Sequence, residues 1–312
     1  MSVEANRPVA ALLARPRAIR LALAYLELTK PRIVMLVVMT GVPALLLAAG
    51  GMPRTGLFIG TMLGTMFASM SAAAFNHYVD RDIDGLMRRT RTRPLPSGTL
   101  PPSHALAVGF LLMILSWSVL QASANVLAAS IAMIGIFYYA VVYSVWLKRR
   151  TPQNIVIGGA AGASAPLIAW AAVTGSLALP AWLLASIVFF WTPPHFWALS
   201  LYRCEDYVRA GIPMLPVTHG EPETRRQILL YSFVLVPVTL SLPLLGLTGP
   251  VYGVGAALLG ALFLASALRL KRTGAVPDAV RLFRFSILYL FLLYVLMTVD
   301  AAWGAFGRHV AG

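Results

Sequence analysis

The chain has 312 residues, of which 59% are hydrophobic and only 12% charged, and its formal net charge is +14. Soluble domains hold about a quarter of their residues as charge. The composition excludes a soluble globular protein, and the long apolar runs mark a polytopic membrane protein.

In chain order, residues 1–25 form a basic arm holding Arg7, Arg15, Arg17 and Arg20, with no signal-peptide cleavage pattern. A short cytoplasmic segment is expected, amphipathic and resting on anionic lipid. Residues 26–312 are expected to form one membrane domain. Nine stretches reach the roughly 20 apolar residues that a bilayer crossing requires. They lie at about 32–50, 56–78, 104–122, 125–146, 155–174, 181–202, 228–247, 250–268 and 284–303. The predicted fold class is all-α, with nine transmembrane helices.

The charges follow this count. Of the 25 Lys and Arg residues, all but Arg54 and Arg308 fall on one side of the predicted membrane. The positive-inside rule then makes the N-terminus cytoplasmic and the C-terminus external. The excess of basic residues reads as a topology signal, and no nucleic-acid partner is expected. Acids share the asymmetry, with Asp300 alone lying towards the external side. External connections are short, whereas two cytoplasmic ones, at about 79–103 and 203–227, are long enough to carry function. Pro94 follows Asp84 by ten residues and Pro216 follows Asp206 by ten, a hint of a duplicated four-helix unit. The single cysteine, Cys204, excludes a disulfide within the chain.

The second span runs into "SAAAFNHYVDRDIDGLMRRTRTRPLPSG". Asn76, Asp80 and Asp84 recur every four residues, so on a helix they drift only about 80° and form one ridge. Asp82 points about 240° from Asn76 and is expected to pair with arginine or meet solvent. Carboxylates near a bilayer face a cavity and a partner. Stacked carboxylate and amide oxygens suit a hard cation such as Mg²⁺, which is often shared with substrate phosphates. Arg88, Arg91 and Arg93 would cover phosphate oxygens, although they also serve the topology. Lys148, Arg149 and Arg150 after the fourth span admit the same two readings. Together these groups suggest a polar headgroup site at the mouth of an apolar cavity, fitted to a lipid-like diphosphate. Tyr138, Tyr139 and Tyr143 are candidates to face a developing carbocation, or members of an interfacial aromatic belt.

In the sixth span His195 follows Pro193 and Pro194. On the residues alone it reads as a hydrogen-bonded histidine near a helix kink. At helical spacing it shares a face with Leu199, Tyr202 and Asp206, so one helix is expected to present both His195 and Asp206. His77 points away from the ridge, and His104, His219 and His309 look peripheral. Gly158, Gly159 and Gly162 stand at helix-packing spacing.

The motif "NHYVDRDID" resembles the N-x-x-x-D-x-x-x-D signature of UbiA-type intramembrane prenyltransferases, and "ELTKPRIV" resembles their entry to the first span. "LKRRTPQNIVIGGAAGASAPLIAW" and "WTPPHFWALSLYRCEDYVRAGIPMLPV" are similar to the branch that farnesylates haem, over about residues 26–220. The resemblance implies a nine-helix bundle around a central cavity. It also implies transfer of a farnesyl group from farnesyl diphosphate to a vinyl group of haem b, with water completing the addition to give haem O. The location it implies is the bacterial inner membrane, with the active site facing the cytoplasm. The product would pass to a haem-modifying enzyme or to haem–copper oxidase assembly. Carried over by position, Asn76, Asp80 and Asp84 would bind Mg²⁺ and diphosphate, with Asp206 as the second acidic site. Lys148, Arg149, Arg150 and Arg203 join the arginines as candidate diphosphate contacts, and His195 is the candidate haem contact. The second motif departs from the D-x-x-x-D of relatives using aromatic acceptors, because Tyr202 stands where its first acid would be. Two other readings remain: a related prenyltransferase with a quinone or chlorin acceptor, and a transporter or haem-binding protein without catalysis.

Overall fold

The computed structural model describes residues 16–310, with side chains described through residue 302. Glu4, Arg7 and Arg15, and the side chains of Arg308 and His309, lie outside the described residues. A short helix, α1 (Arg17–Leu28), precedes the first span, α2 (Pro31–Ala49). Then follow α3 (Thr55–Leu86), α4 (Pro102–Ser123) and α5 (Val126–Phe137), which continues as a π-helix over Tyr138–Leu147. The fifth span is broken into α6 (Asn154–Gly162) and α7 (Ser164–Thr174). The sixth, α8 (Leu179–Tyr202), leads into two short helices, α9 (Cys204–Arg209) and α10 (Leu215–Thr218). The last spans are α11 (Gly220–Leu244), α12 (Pro250–Thr273) and α13 (Val276–Val310). Among the described residues nine spans are long and apolar enough to cross a membrane, as the hydropathy predicts.

Boundaries differ where polar residues continue a helix past its apolar stretch. The second span runs 32 residues to Leu86, so the acids belong to the helix and the expected loop is shorter. Likewise α11 starts at Gly220 and α13 at Val276, ahead of their hydrophobic segments. Proline at the first helical turn starts α2, α4, α8 and α12, where its missing N–H costs nothing.

The helices close into a bundle in which α13 packs on α2, α8 and α12. Small residues let α3 and α4 approach closely. A Cβ on Gly64 would overlap the Leu120 side chain, and one on Gly109 would lie 2.7 Å from the Phe75 ring. Two serines fasten the same contact: Ser71 Oγ donates to Gly109 O and Ser116 Oγ to Gly64 O, both at 2.8 Å. In lipid, where the hydrophobic effect does not join helices, such packing and hydrogen bonding do. The acid set apart from the others, Asp300, has a structural task. Asp300 accepts from the backbone N–H groups of Gly249 and Tyr252, holding a negative charge at the start of α12.

Helix α1 buries Ala24 and Leu28 against Leu95, Leu100 and Ala105, and Tyr25 Oη bonds His104 Nδ1 at 2.6 Å. Ile19 and Leu26 remain exposed, as an interfacial helix requires.

Gly64→Val should wedge α3 from α4 and destabilise by about 1–3 kcal/mol. The check is the melting temperature in detergent, which the pairing Gly64→Val with Leu120→Ala should partly restore.

Candidate active site

The ridge expected on the second span is present and sealed. Asn76, Asp80 and Asp84 are 3%, 1% and 1% exposed. Asn76 Nδ2 donates to Asp80 Oδ2 at 2.7 Å and to Ser144 Oγ at 3.0 Å. Lys148 pairs with Asp80 Oδ2, and Arg93 donates to Asp84 Oδ2 at 2.7 Å. In each aspartate the other oxygen, Oδ1, is buried with no hydrogen-bond partner. Buried carboxylate oxygens are costly to leave bare. Two of them on one ridge fit a divalent cation, completed by substrate phosphates in the manner of Mg²⁺. Among the described residues no three His, Cys, Asp or Glu groups cluster as a metal site, so the protein alone supplies only part of a coordination shell.

Lys30 is the residue the sequence reading missed. It counted only towards topology, yet its Nζ donates to Asn76 Oδ1 at 2.6 Å. It does so from a left-handed backbone (φ 48°, ψ 56°), the only positive φ outside glycine among the described residues. Such strain in a lysine collects at functional sites. The one sequence signal was its place before Pro31, which disfavours ordinary helical geometry. Desolvation, with Arg93 adding to it, pulls the Lys30 pKa down to about 7.

The π-helix places the other partners. Its wide turn brings residues five apart onto one face. Ser144 follows Tyr139 by five and Lys148 follows Tyr143 by five, so Ser144 and Lys148 both reach the ridge. Tyr139 and Tyr143 line the adjoining cavity. Gly158 makes room there, because a Cβ would overlap the Tyr143 ring. Gly159 meets Thr192 closely, whereas Gly162 is in ordinary contact distance.

That cavity has a volume of about 1010 Å³ and an apolar wall. Lys30 lines it; the three ridge residues lie behind that wall. Ile33 and Met35 of α2 and Leu288 and Phe291 of α13 line it and are exposed, so the first and ninth spans both border the chamber. His195, Trp191 and Phe283 form part of its wall.

Other expected residues are placed differently. Arg149 makes two 2.7 Å bonds to Asp82 and a third to Val79 O, on the exposed side of α3. Arg88, Arg91, Arg150 and Arg203 are exposed, and Arg203 stacks over the Tyr202 ring at 5.4 Å. His195 and Asp206 do not share a helix. The backbone leaves α8 at Tyr202, and Asp206 sits on α9. There Asp206 is buried, accepts from the Arg88 N–H at 3.2 Å and pairs with Arg209. It thus meets the chain just past the end of α3, four residues after Asp84 in sequence. Glu205 is exposed, which leaves Asp206 as the sole acid of the second motif turned inward. His77 is buried without a partner on either ring nitrogen, and His104 and His219 are peripheral.

An integral multi-pass protein with a base-framed acidic ridge beside an apolar chamber is the class these features define. The chain belongs to the UbiA prenyltransferase family, whose profile matches residues 35–303. It is 50% identical over 281 residues to a protoheme IX farnesyltransferase from Azorhizobium caulinodans, covering 89% of this chain and 91% of the relative. A protoheme IX farnesyltransferase from Roseiflexus castenholzii is 49% identical over 278 residues, covering 89% of this chain and 52% of the relative. The chain thus spans about half the length of that relative. Among solved structures, a digeranylgeranylglyceryl phosphate synthase matches with a TM-score of 0.75 at 19% identity, covering 90% of this chain and 98% of that one. A UbiA homolog from Archaeoglobus fulgidus, bound to DMAPP and Mg²⁺, matches with a TM-score of 0.60 at 17% identity, covering 88% and 99%. These two likenesses establish the fold.

Gly158→Ala should push Tyr143 off its seat and change the cavity wall next to Lys148. A fall in turnover of at least about tenfold is expected if the change costs one positioning contact of about 1.4 kcal/mol. Asp82→Asn, on the outer face, should stay within about twofold of wild type, since exposed ion pairs contribute little.

Proposed function

We propose that this chain transfers the farnesyl group of farnesyl diphosphate to a vinyl group of haem b, giving haem O. The observation that carries this is the pair of bare carboxylate oxygens, Oδ1 of Asp80 and Asp84, beside an apolar cavity walled in part by His195. The names of the relatives support the same donor and acceptor.

Asn76, Asp80 and Asp84 would hold Mg²⁺, with Asp206 at the cytoplasmic edge. Bound there, Mg²⁺ supplies Lewis-acid stabilisation to the departing diphosphate. Lys148, Arg93 and Lys30, now bonded to carboxylate and amide oxygens, would turn to phosphate oxygens as charge builds on them. Exposed Arg88, Arg91, Arg150 and Arg203 would draw the anionic head towards the mouth. The allylic carbon–oxygen bond breaks, and its electron pair leaves with diphosphate. The vinyl carbon–carbon double bond then donates its electrons to the farnesyl carbon. Water adds to the resulting cation beside the porphyrin and loses a proton, leaving the hydroxyl. Tyr139 and Tyr143 offer ring faces to the positive charge, and the apolar wall keeps water away until the new bond has formed. The farnesyl tail enters from the bilayer between α2 and α13. The active face is cytoplasmic, in a bacterial inner membrane, and the product goes on to a haem-modifying enzyme or to haem–copper oxidase assembly.

Purified protein incubated with haem b, farnesyl diphosphate and Mg²⁺ should yield haem O, detected by mass. An active preparation that prenylates a quinone and leaves haem unchanged would sink the acceptor assignment. Asp80→Asn and Asp84→Asn should each lower turnover by about 100-fold or more while the protein stays folded. Near-normal activity in both would remove the ridge from the reaction.

A further inference from the structure

We propose that Ser286, on the ninth span, is a positioning residue that fixes His195 in the tautomer whose Nε2 lone pair is free to take the iron of the acceptor. The inference rests on the haem reading above and adds a residue to it. His195 Nδ1 lies 2.7 Å from Ser286 Oγ, and Ser286 Oγ lies 2.7 Å from the carbonyl oxygen of Phe283. A serine hydroxyl has one proton, and a carbonyl oxygen only accepts. Both contacts are hydrogen bonds only if Ser286 donates to Phe283 and accepts from His195 Nδ1–H. The imidazole then carries its proton on Nδ1 and none on Nε2.

The orientation is fixed as firmly as the proton. The ring is stacked between Trp191 at 4.4 Å and Phe283 at 4.7 Å, with interplanar angles of 17° and 26°. Trp191 Nε1 donates to the Ser286 carbonyl at 2.7 Å, pinning α8 to α13 at the same level. Ser286 is fully buried, so water does not compete for the Nδ1 proton. Histidines that bind metals donate their other N–H to an acceptor that sets the tautomer and raises ligand basicity. Here that acceptor is already in place, while His195 forms part of the cavity wall.

The test titrates ferric haem b into the full-length protein in detergent, reduces the complex with dithionite and records resonance Raman spectra of the ferrous form. Wild type should show an iron–imidazole stretch that His195→Ala abolishes. Ser286→Ala should lower that stretching frequency and weaken haem affinity about tenfold; Ser286→Thr, which keeps the hydroxyl, should restore both. An unchanged frequency and affinity in Ser286→Ala would overturn the role of Ser286, while loss of the stretch in His195→Ala left the haem reading standing. If Ser286→Ala fails to fold, Ser286→Gly, which also offers no side-chain acceptor, replaces it, and a wild-type frequency there is equally fatal. An iron–imidazole stretch that survives in His195→Ala would overturn the proposal at its base, whatever the product assay shows.

Discussion

The carboxylates of Asp80 and Asp84, sealed among apolar helices, are the constraint around which this end of the bundle is organised. An unpaired carboxylate at such depth costs several kcal/mol, so each needs a base close by. Their own helix is continuous to Leu86, and its one nearby base, Arg81, is turned away onto Tyr78. Arg93 comes from the segment after α3, which must fold back across the mouth. Lys148 comes from the end of the fourth span, where the π-helix gives the extra reach. The paths of two connections and one helix irregularity thus follow from two side chains.

The same pairing divides the molecule into two environments. Behind the cavity wall lie the ridge and its bases; in front of it are the tyrosines, His195 and an apolar chamber. Lys30 touches both, bonded to Asn76 and lining the cavity. Its left-handed backbone joins α1 to α2, and α1 is anchored by Leu28 and by the Tyr25–His104 contact. A short helix outside the nine spans therefore helps to hold a base at the inner site.

The spans and the ridge were legible because each depends on one local rule. A bilayer needs about 20 apolar residues, and positions four apart share a helix face. The prenyl-transfer reading came from motif resemblance instead, and the family match agrees with it. What could not be read depends on breaks in those rules. Periodicity carried His195 through to Asp206 on one helix, but the backbone leaves the helix at Tyr202 and turns Asp206 towards Arg88. It gave no sign that Tyr138–Leu147 would widen its turn and aim Ser144 and Lys148 together. Arg149 and Lys30 were equally ambiguous as charges near a membrane edge. Only three-dimensional packing sends one outward to Asp82 and the other inward to Asn76.

The charge count around the ridge also says what kind of ligand it awaits. Arg93 and Lys148 each pair with one of the two carboxylates, and Lys30 adds a third base against a neutral amide in a poorly solvated place. A site built to store a cation by itself would gather acids, and no third acid joins Asp80 and Asp84 among the described residues. Further positive charge is tolerable there only if it arrives with an anion that the bases can share. The bare oxygens and the surplus bases are thus two halves of one recognition device. On the proposed function, it is balanced when a diphosphate head enters with its counter-ion, while the tail of the same molecule lies in the apolar chamber next door.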